Sequence, residues 1–428
     1  MEKMLSSVLT VIRPSKQELS SEIAFAKEVL AHIKKYSPRS CDVVLTGSMA
    51  KKTFLFDKKD LDIFVLFGRG VPREKLESHI TGIMKKAFPS IGYKLSYAEH
   101  PYVRFHYGGR RIDLVPAYKI ANATERISAV DRSTLHTKFV LRNLKKNNIG
   151  DVLLLKQLLH ANSLYGAEIK IKGFSGYLCE LLIIRYGGFT KLLRVAAKWK
   201  KPTFIDLKKY YKTKKSTIGA TERFGFFIVI DPADKDRNVA AAVSDQNFLA
   251  FTKLCKVFLK KPNRSFFLRQ PETFDEKLEK IIKKNKSVFL VSMPKPDVVD
   301  DVLWGQVHKM VGQFERHLED FDPKSIVADD SGHLIRLVVV LGTEKLPREM
   351  LVEGPPLKMK KPVLLFRKSH KKSKFVKKNK KIFAVARRPI TYGAKSIREF
   401  FRNFSKIKSH LNYHEEMILI EKLKYKAK

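Results

Sequence analysis

The stretch DLDIFVLF, residues 60–67, constrains the fold more than any other part of the chain. Apart from its aspartates it is apolar throughout, so both faces of a strand made from it must be covered. It therefore predicts a strand within a mixed α/β block. Its carboxylates, Asp60 and Asp62, are spaced i, i+2, which on a strand puts them on one face roughly 7 Å apart. Two negative charges beside an apolar run are costly unless cations neutralise them. Asp113, between Ile112 and Leu114 in RRIDLVPAY, repeats the anomaly on a second predicted strand. Three such carboxylates converging at a sheet edge would form an oxygen-only site suited to Mg²⁺. For any one aspartate alone, the end of a strand facing water is the simpler reading.

The elements around these positions follow from periodicity. Leu19, Ile23, Ala26, Leu30 and Ile33 recur at helical spacing over 14–36, and Ser15 with Glu18 predicts a capping box. A short strand, Val43 to Leu45, leads into Gly47-Ser48 and a segment able to start a helix. Such a turn exposes backbone amides, which suit the phosphates of a nucleotide. A helix around 73–88 and strands in YKLSYAEHPYVRFHY and RRIDLVPAY complete an α/β block ending near residue 137.

From 138 to 262 the pattern turns helical. Leu154, Leu155, Leu158 and Leu159 predict a buried stripe, with Gly166 as the helix C-terminal cap. GFSGYLCELLIIRYGGF predicts a second helix entered through Ser175 and left at Gly187-Gly188, FGFFIVIDP a strand, and NVAAAVSDQNFLAFTKLCKVFLKK a further helix. Beyond Pro262, SVFLVSM and HLIRLVVVLG read as strands and VDDVLWGQVHKMVGQFERHLEDF as a helix. The expected division is 1–137, 138–262 and 263–428.

Charge narrows the function. Lys and Arg number 85 against 43 Asp and Glu, a formal net charge of +42. Such an excess repels itself unless a polyanion neutralises it, and nucleic-acid phosphates are the commonest large polyanion, although a general Lys bias would look the same. Between Glu353 and Glu399 there are 16 Lys and Arg and no carboxylate. Within that stretch PVLLFR and KIFAVARR alternate apolar and basic residues, predicting two strands with a basic face. Cys41, Cys179 and Cys255 have no paired spacing, which excludes a CxxC zinc site and a disulfide framework and fits a reducing cytoplasm. No run approaches the roughly 20 apolar residues that span a bilayer.

Gly-Ser followed by Asp-x-Asp on a strand, with a third aspartate on a later one, resembles the DNA polymerase β-like nucleotidyltransferase superfamily. The segments TGSMAKKTFLFDKKDLDIFVLF, YAEHPYVRF, IDLVPAYK, SAVDRSTLHTKF, LLLKQLLHANSLYGAE, KGFSGYLCELLI, DPADKDRNVAAAVS, KPDVVDD and GAKSIREFF are together similar to archaeal-type CCA-adding enzymes. That resemblance implies a multidomain α/β protein with a polymerase β-like head, a helical central domain and an α/β C-terminal RNA-binding region. It implies addition of C, C and A to the 3′ end of tRNA from CTP and ATP, with two Mg²⁺ held by Asp60, Asp62 and Asp113. Gly47, Ser48, Lys51, His136, Lys156 and Tyr165 would bind the triphosphate and sugar, and Arg237 would read the incoming base. Asp60 stands where the family usually has Glu, and Lys51 where it tends to carry Arg.

Each of these residues also has a structural reading: His136 at a helix start, Lys156 on a solvated face, Tyr165 in a core, Ser175 as an N-cap, Arg237 paired with Asp231, Asp234 or Asp236. A poly(A) polymerase or oligoadenylate synthetase sharing the head, and a non-catalytic RNA-binding protein, are the alternatives. Oligomeric state, a homodimer included, stays open.

Overall fold

DLDIFVLF forms a strand as expected, and the sheet places it in the interior. The computed structural model describes residues 1–57, 59–97, 101–268, 273–404, 411 and 417–424. Two compact units emerge, Met1–Pro271 and Glu272–Lys428.

The first unit begins with helices α1 (Glu2–Ile12) and α2 (Lys16–Tyr36), and α2 carries the Ser15/Glu18 capping box. Strand β1 (Asp42–Thr46) runs directly into the short helix α3 (Gly47–Lys51). Then come β2 (Leu61–Phe67), α4 (Leu76–Ala87), β3 (Tyr93–Tyr97), β4 (Pro101–Tyr107) and β5 (Arg110–Tyr118). The sheet order is β1-β2-β5-β4-β3, with only the β2–β5 pair parallel. β2 thus lies inside the sheet, and Leu61, Ile63 and Val65 are completely buried in a core shared with α2 and α4. Asp60 falls just before the strand instead of within it. Ala98–His100, part of the expected strand run, lie outside the described residues.

A second core in this unit gathers α1, α6 (Ile149–Ala161), α7 (Gly176–Tyr186), α8 (Phe189–Ala196) and α10 (Asp245–Lys260), with α5 (Arg132–Asn143) lying between β5 and α6 in the chain. A small sheet of β6 (Thr203–Asp206), β7 (Phe227–Asp231) and β8 (Asp234–Asn238) joins it, with α9 (Lys214–Phe224) between β6 and β7. The leucines expected as a stripe on α6 are buried, but so are Val152, Leu153 and Lys156, because neighbours surround the helix. Gly166 is not its cap. α6 ends at Ala161 with Asn162 at the cap position, and Gly166 (φ +130°) instead exchanges backbone hydrogen bonds with Phe174 and Gly173. Ser175 does cap α7, accepting from the Leu178 N–H at 3.1 Å, and Gly187 ends it in the left-handed region.

After α11 (Ser265–Leu268) closes the first unit, the second contains α12 (Phe274–Lys284) and an antiparallel sheet ordered β10-β11-β9-β15. Its strands are β9 (Val288–Pro294), β10 (Pro323–Ser331), β11 (Leu334–Leu341) and β15 (Leu419–Leu423). They pack with α13 (Asp300–His317) and α15 (Gly393–Phe404) around Trp304, Phe314 and Phe401. A second sheet, β12-β14-β13, comprises β12 (Glu349–Pro356), β13 (Lys374–Lys378) and β14 (Lys381–Arg387). KIFAVARR forms β14 as expected. PVLLFR does not form a strand: it lies in the helix α14 (Lys360–Ser369). A run of four apolar residues fits either element, and Pro362 is tolerated because it sits in the helix's first turn. No helix among the described residues is long and apolar enough to cross a membrane.

Candidate active site

Parallel pairing of β2 and β5 sets Asp62 directly beside Asp113. On its other side Asp62 pairs with Thr46 of β1, one residue before the Gly47 turn. Gly47 has φ +65°, and a Cβ there would lie 1.8 Å from Asp62 Oδ2. Glycine is therefore required twice, by backbone conformation and by the carboxylate pressed against it. No hydrogen bond or ion pair to the Asp62 side chain occurs among the described residues. Burial, then the negative charges of Asp113 and Asp60, push its carboxyl up to about 6.

Its two neighbours are treated differently. Asp113 receives a two-pronged contact from Arg104, with Nε donating to Oδ1 at 2.7 Å and Nη2 to Oδ2 at 2.8 Å. Asp60 is ion-paired with Arg111. Among the described residues no three carboxylate, imidazole or thiol side chains already close around one point. The donor set still suits a hard divalent cation, being all oxygen with uncompensated charge centred on Asp62.

A cleft of about 440 Å³ opens beside these carboxylates. Gly47, Ser48, Lys51, Asp62, Asp113, His136, Lys156 and Tyr165 all line it, as do Tyr177 and Glu180. Asp60 and Arg237 do not.

Glu180 of α7 is the residue that the sequence reading missed at this wall. Its carboxylate is fully buried and accepts from Lys51 Nζ at 2.5 Å, Thr53 Oγ1 at 2.6 Å and Lys156 Nζ at 3.3 Å. Lys156 also donates to the Thr53 carbonyl at 2.9 Å, so it is a buried cleft residue and not a solvated one. Burial works to raise the Glu180 carboxyl, but the two lysines outweigh it and hold it below its ordinary range. Burial lowers the Lys156 ammonium in turn, despite Glu180. Two ammonium groups thus share one carboxylate, leaving the pair short of one negative charge that an anion in the cleft would supply.

Asp231, at the end of β7, organises a second cluster. Its side chain is inaccessible and meets His136 Nε2 and Arg237 Nη1, each at 2.8 Å, and the Tyr177 hydroxyl at 3.1 Å. Arg237 has therefore taken the first of its three candidate partners. Arg132 and Arg126 occupy Asp234, and Arg223 occupies Asp236. Burial keeps the His136 imidazole below its ordinary pKa against the pull of Asp231. At neutral pH it thus offers Asp231 a neutral N–H bond. Its ring stacks on Tyr177 with centroids 4.2 Å apart. Glu180 and Tyr177 looked like ordinary helix residues because their partners are distant in sequence.

Comparison with known proteins accounts for nearly the whole chain. Residues 26–136 match the nucleotidyltransferase domain, 150–268 the second domain of tRNA nucleotidyltransferase, and 284–415 the C-terminal domain of CCA-adding enzyme. The CCA-adding enzyme of Methanocaldococcus jannaschii is 35% identical over 91% of this chain and 88% of its own length. That of Saccharolobus solfataricus is 33% identical over 81% and 80%. Among solved structures, the Cid1 poly(U) polymerase bound to MgGTP is similar in fold at 14% identity, with a TM-score of 0.50 over 63% of this chain and 98% of that one. The matches extend from the sheet bearing Asp62 to the helix α15, and the identity to whole curated relatives is high enough to define descent: the chain belongs to the CCA-adding enzyme family.

Proposed function

We propose that this protein adds C, C and A to the 3′ end of tRNA from CTP and ATP without a nucleic-acid template, releasing pyrophosphate. The observation that carries this reading is one cleft lined both by adjacent carboxylates, Asp62 and Asp113, and by buried ammonium groups, Lys51 and Lys156. A nucleoside triphosphate with its cations needs both: oxygens for the metals and positive charge for the phosphates.

Asp60, Asp62 and Asp113 are the residues that would hold two Mg²⁺. Bound there, Mg²⁺ would lower the pKa of the tRNA 3′-hydroxyl and stabilise the departing pyrophosphate. The rest is the work of the chain. The Gly47-Ser48 turn presents amides to the phosphates, and Lys51, His136, Lys156 and Tyr165 grip the triphosphate and sugar. Arg104 and Arg111 balance the charge of Asp113 and Asp60 in the cation-free protein. Arg237 selects the base. A guanidinium only donates, so it matches the ring-nitrogen acceptor that cytosine and adenine present and opposes the ring N–H of uracil and guanine. The basic 354–398 stretch and the helical middle hold the acceptor arm through its backbone, which suits an enzyme accepting every tRNA. In this scheme 1–137 is catalytic, 138–262 binds nucleotide and RNA, and 263–428 binds tRNA, in the cytoplasm.

Incubation with a tRNA lacking its 3′ end, Mg²⁺ and each nucleotide in turn tests the reading. The expected product stops after C, C and A. Long A tails, or no incorporation with intact tRNA binding, would refute it.

A further inference from the structure

Arg237 does not line the cleft, yet it is hydrogen-bonded to the carboxylate that also holds a cleft residue. That carboxylate, Asp231, is completely buried. Its Oδ1 accepts from the Ala233 N–H at 2.9 Å and the Tyr177 hydroxyl at 3.1 Å. Its Oδ2 accepts from His136 Nε2 and Arg237 Nη1, both at 2.8 Å. One oxygen atom therefore ties together the imidazole facing the cleft and the guanidinium outside it.

We propose that Asp231 is a positioning residue for nucleotide selection, fixing the guanidinium of Arg237 for the base and the imidazole of His136 for the triphosphate as a single unit. The inference rests on the nucleotide-binding roles proposed above for those two residues. Its physical basis is rigidity. A guanidinium is planar, so fixing Nη1 on a buried acceptor aims the remaining N–H groups in a set direction. The backbone N–H of Ala233 and the Tyr177 hydroxyl hold the carboxylate itself, and Tyr177 stacks on His136 to complete the unit. Neighbouring carboxylates cannot substitute, since Asp234 and Asp236 carry arginines of their own. A correct base seated against Arg237 is thereby sensed at His136, beside the phosphates.

The test compares kcat/KM for CTP and UTP on a tRNA lacking its 3′ end, in wild type, Asp231→Asn, Arg237→Ala and the double variant. Asp231→Asn is expected to lower the CTP-to-UTP ratio by about tenfold or more, the effect of losing a charge-assisted hydrogen bond. Arg237→Ala should do the same, and the double variant should fall no further than the larger single loss. A ratio kept in Asp231→Asn but lost in Arg237→Ala, or losses that multiply in the double variant, would overturn the proposal. Should Asp231→Asn not fold, as judged by circular dichroism, the partly exposed Arg237→Ala carries the test. It must raise KM for CTP and shift the His136 titration upward by NMR, and an unmoved His136 overturns the inference. Failure of wild type to add C, C and A would instead reject the functional reading itself.

Discussion

Asp62 and Asp231 are the same residue type in one compact unit, and their surroundings drive them apart. Asp62 sits among carboxylates, with no donor to its side chain among the described residues, and its carboxyl is pushed up to about 6. Asp231 is more deeply enclosed, which would raise it too. There, however, the hydrogen bond and charge of His136, the Ala233 N–H and Arg237 outweigh burial and hold it at about 2. The contrast separates two uses of a buried charge. A carboxylate left wanting is one poised to take a cation, and a carboxylate saturated with donors is one that holds other groups in place.

The largest expected effect breaks the first half of that contrast. Asp62→Asn should cut CTP incorporation by about a thousandfold or more, since metal stabilisation of the transition state amounts to several kcal/mol. The same variant should melt at a higher temperature than wild type without Mg²⁺, because it removes repulsion with Asp113 and Asp60. Thermal unfolding in EDTA checks this, and a lower melting point would show that Asp62 is already compensated.

Glu180→Gln comes next. It leaves two buried ammonium groups without their carboxylate, and breaking a buried pair costs about 3 kcal/mol. Urea titration should show the loss, and a nucleoside triphosphate should restore part of it by supplying the missing anion.

Acid sharpens the second half. Because the Asp231 pKa is depressed on folding, its contribution is present above the unfolded value and lost as pH falls from about 4 toward 2. Its size is about 2 kcal/mol. Asp231→Asn should flatten this part of the stability profile, measured as unfolding free energy against pH.

Smallest are single changes in the basic C-terminal stretch. Replacing one exposed lysine such as Lys368 with Ala should reduce the salt dependence of tRNA binding by about one unit of slope, with incorporation at saturating tRNA unchanged. A larger effect would mean that the lysine does more than neutralise a phosphate.

Local pattern determined much of this protein. The capping box of α2, the apolar strand β2, the glycine-serine turn, the Ser175 cap and the Gly187 stop depend on neighbours within a few residues, so the chain states them outright. Asp62 and Asp113 were legible for the same reason: charge inside an apolar strand stands out. Where local pattern was ambiguous it misled. The apolar run in 362–367 fits a strand as well as the helix it forms, and Gly166 resembled a helix cap that α6 never reaches.

Only the tertiary structure decided which charges meet. Glu180 lies 129 residues from Lys51, and Asp231 lies 95 from His136. Glu180 follows Cys179 on an apolar helix and announces no partner; Asp231 offered itself to nearby Arg237, but nothing in the local pattern linked it to His136. Turning Asp60 onto Arg111 and Asp113 onto Arg104 was likewise invisible, because those contacts depend on strand register and on where the chain enters the sheet. Electrostatic energy depends on distance in space, and the fold brings together groups that the sequence holds far apart.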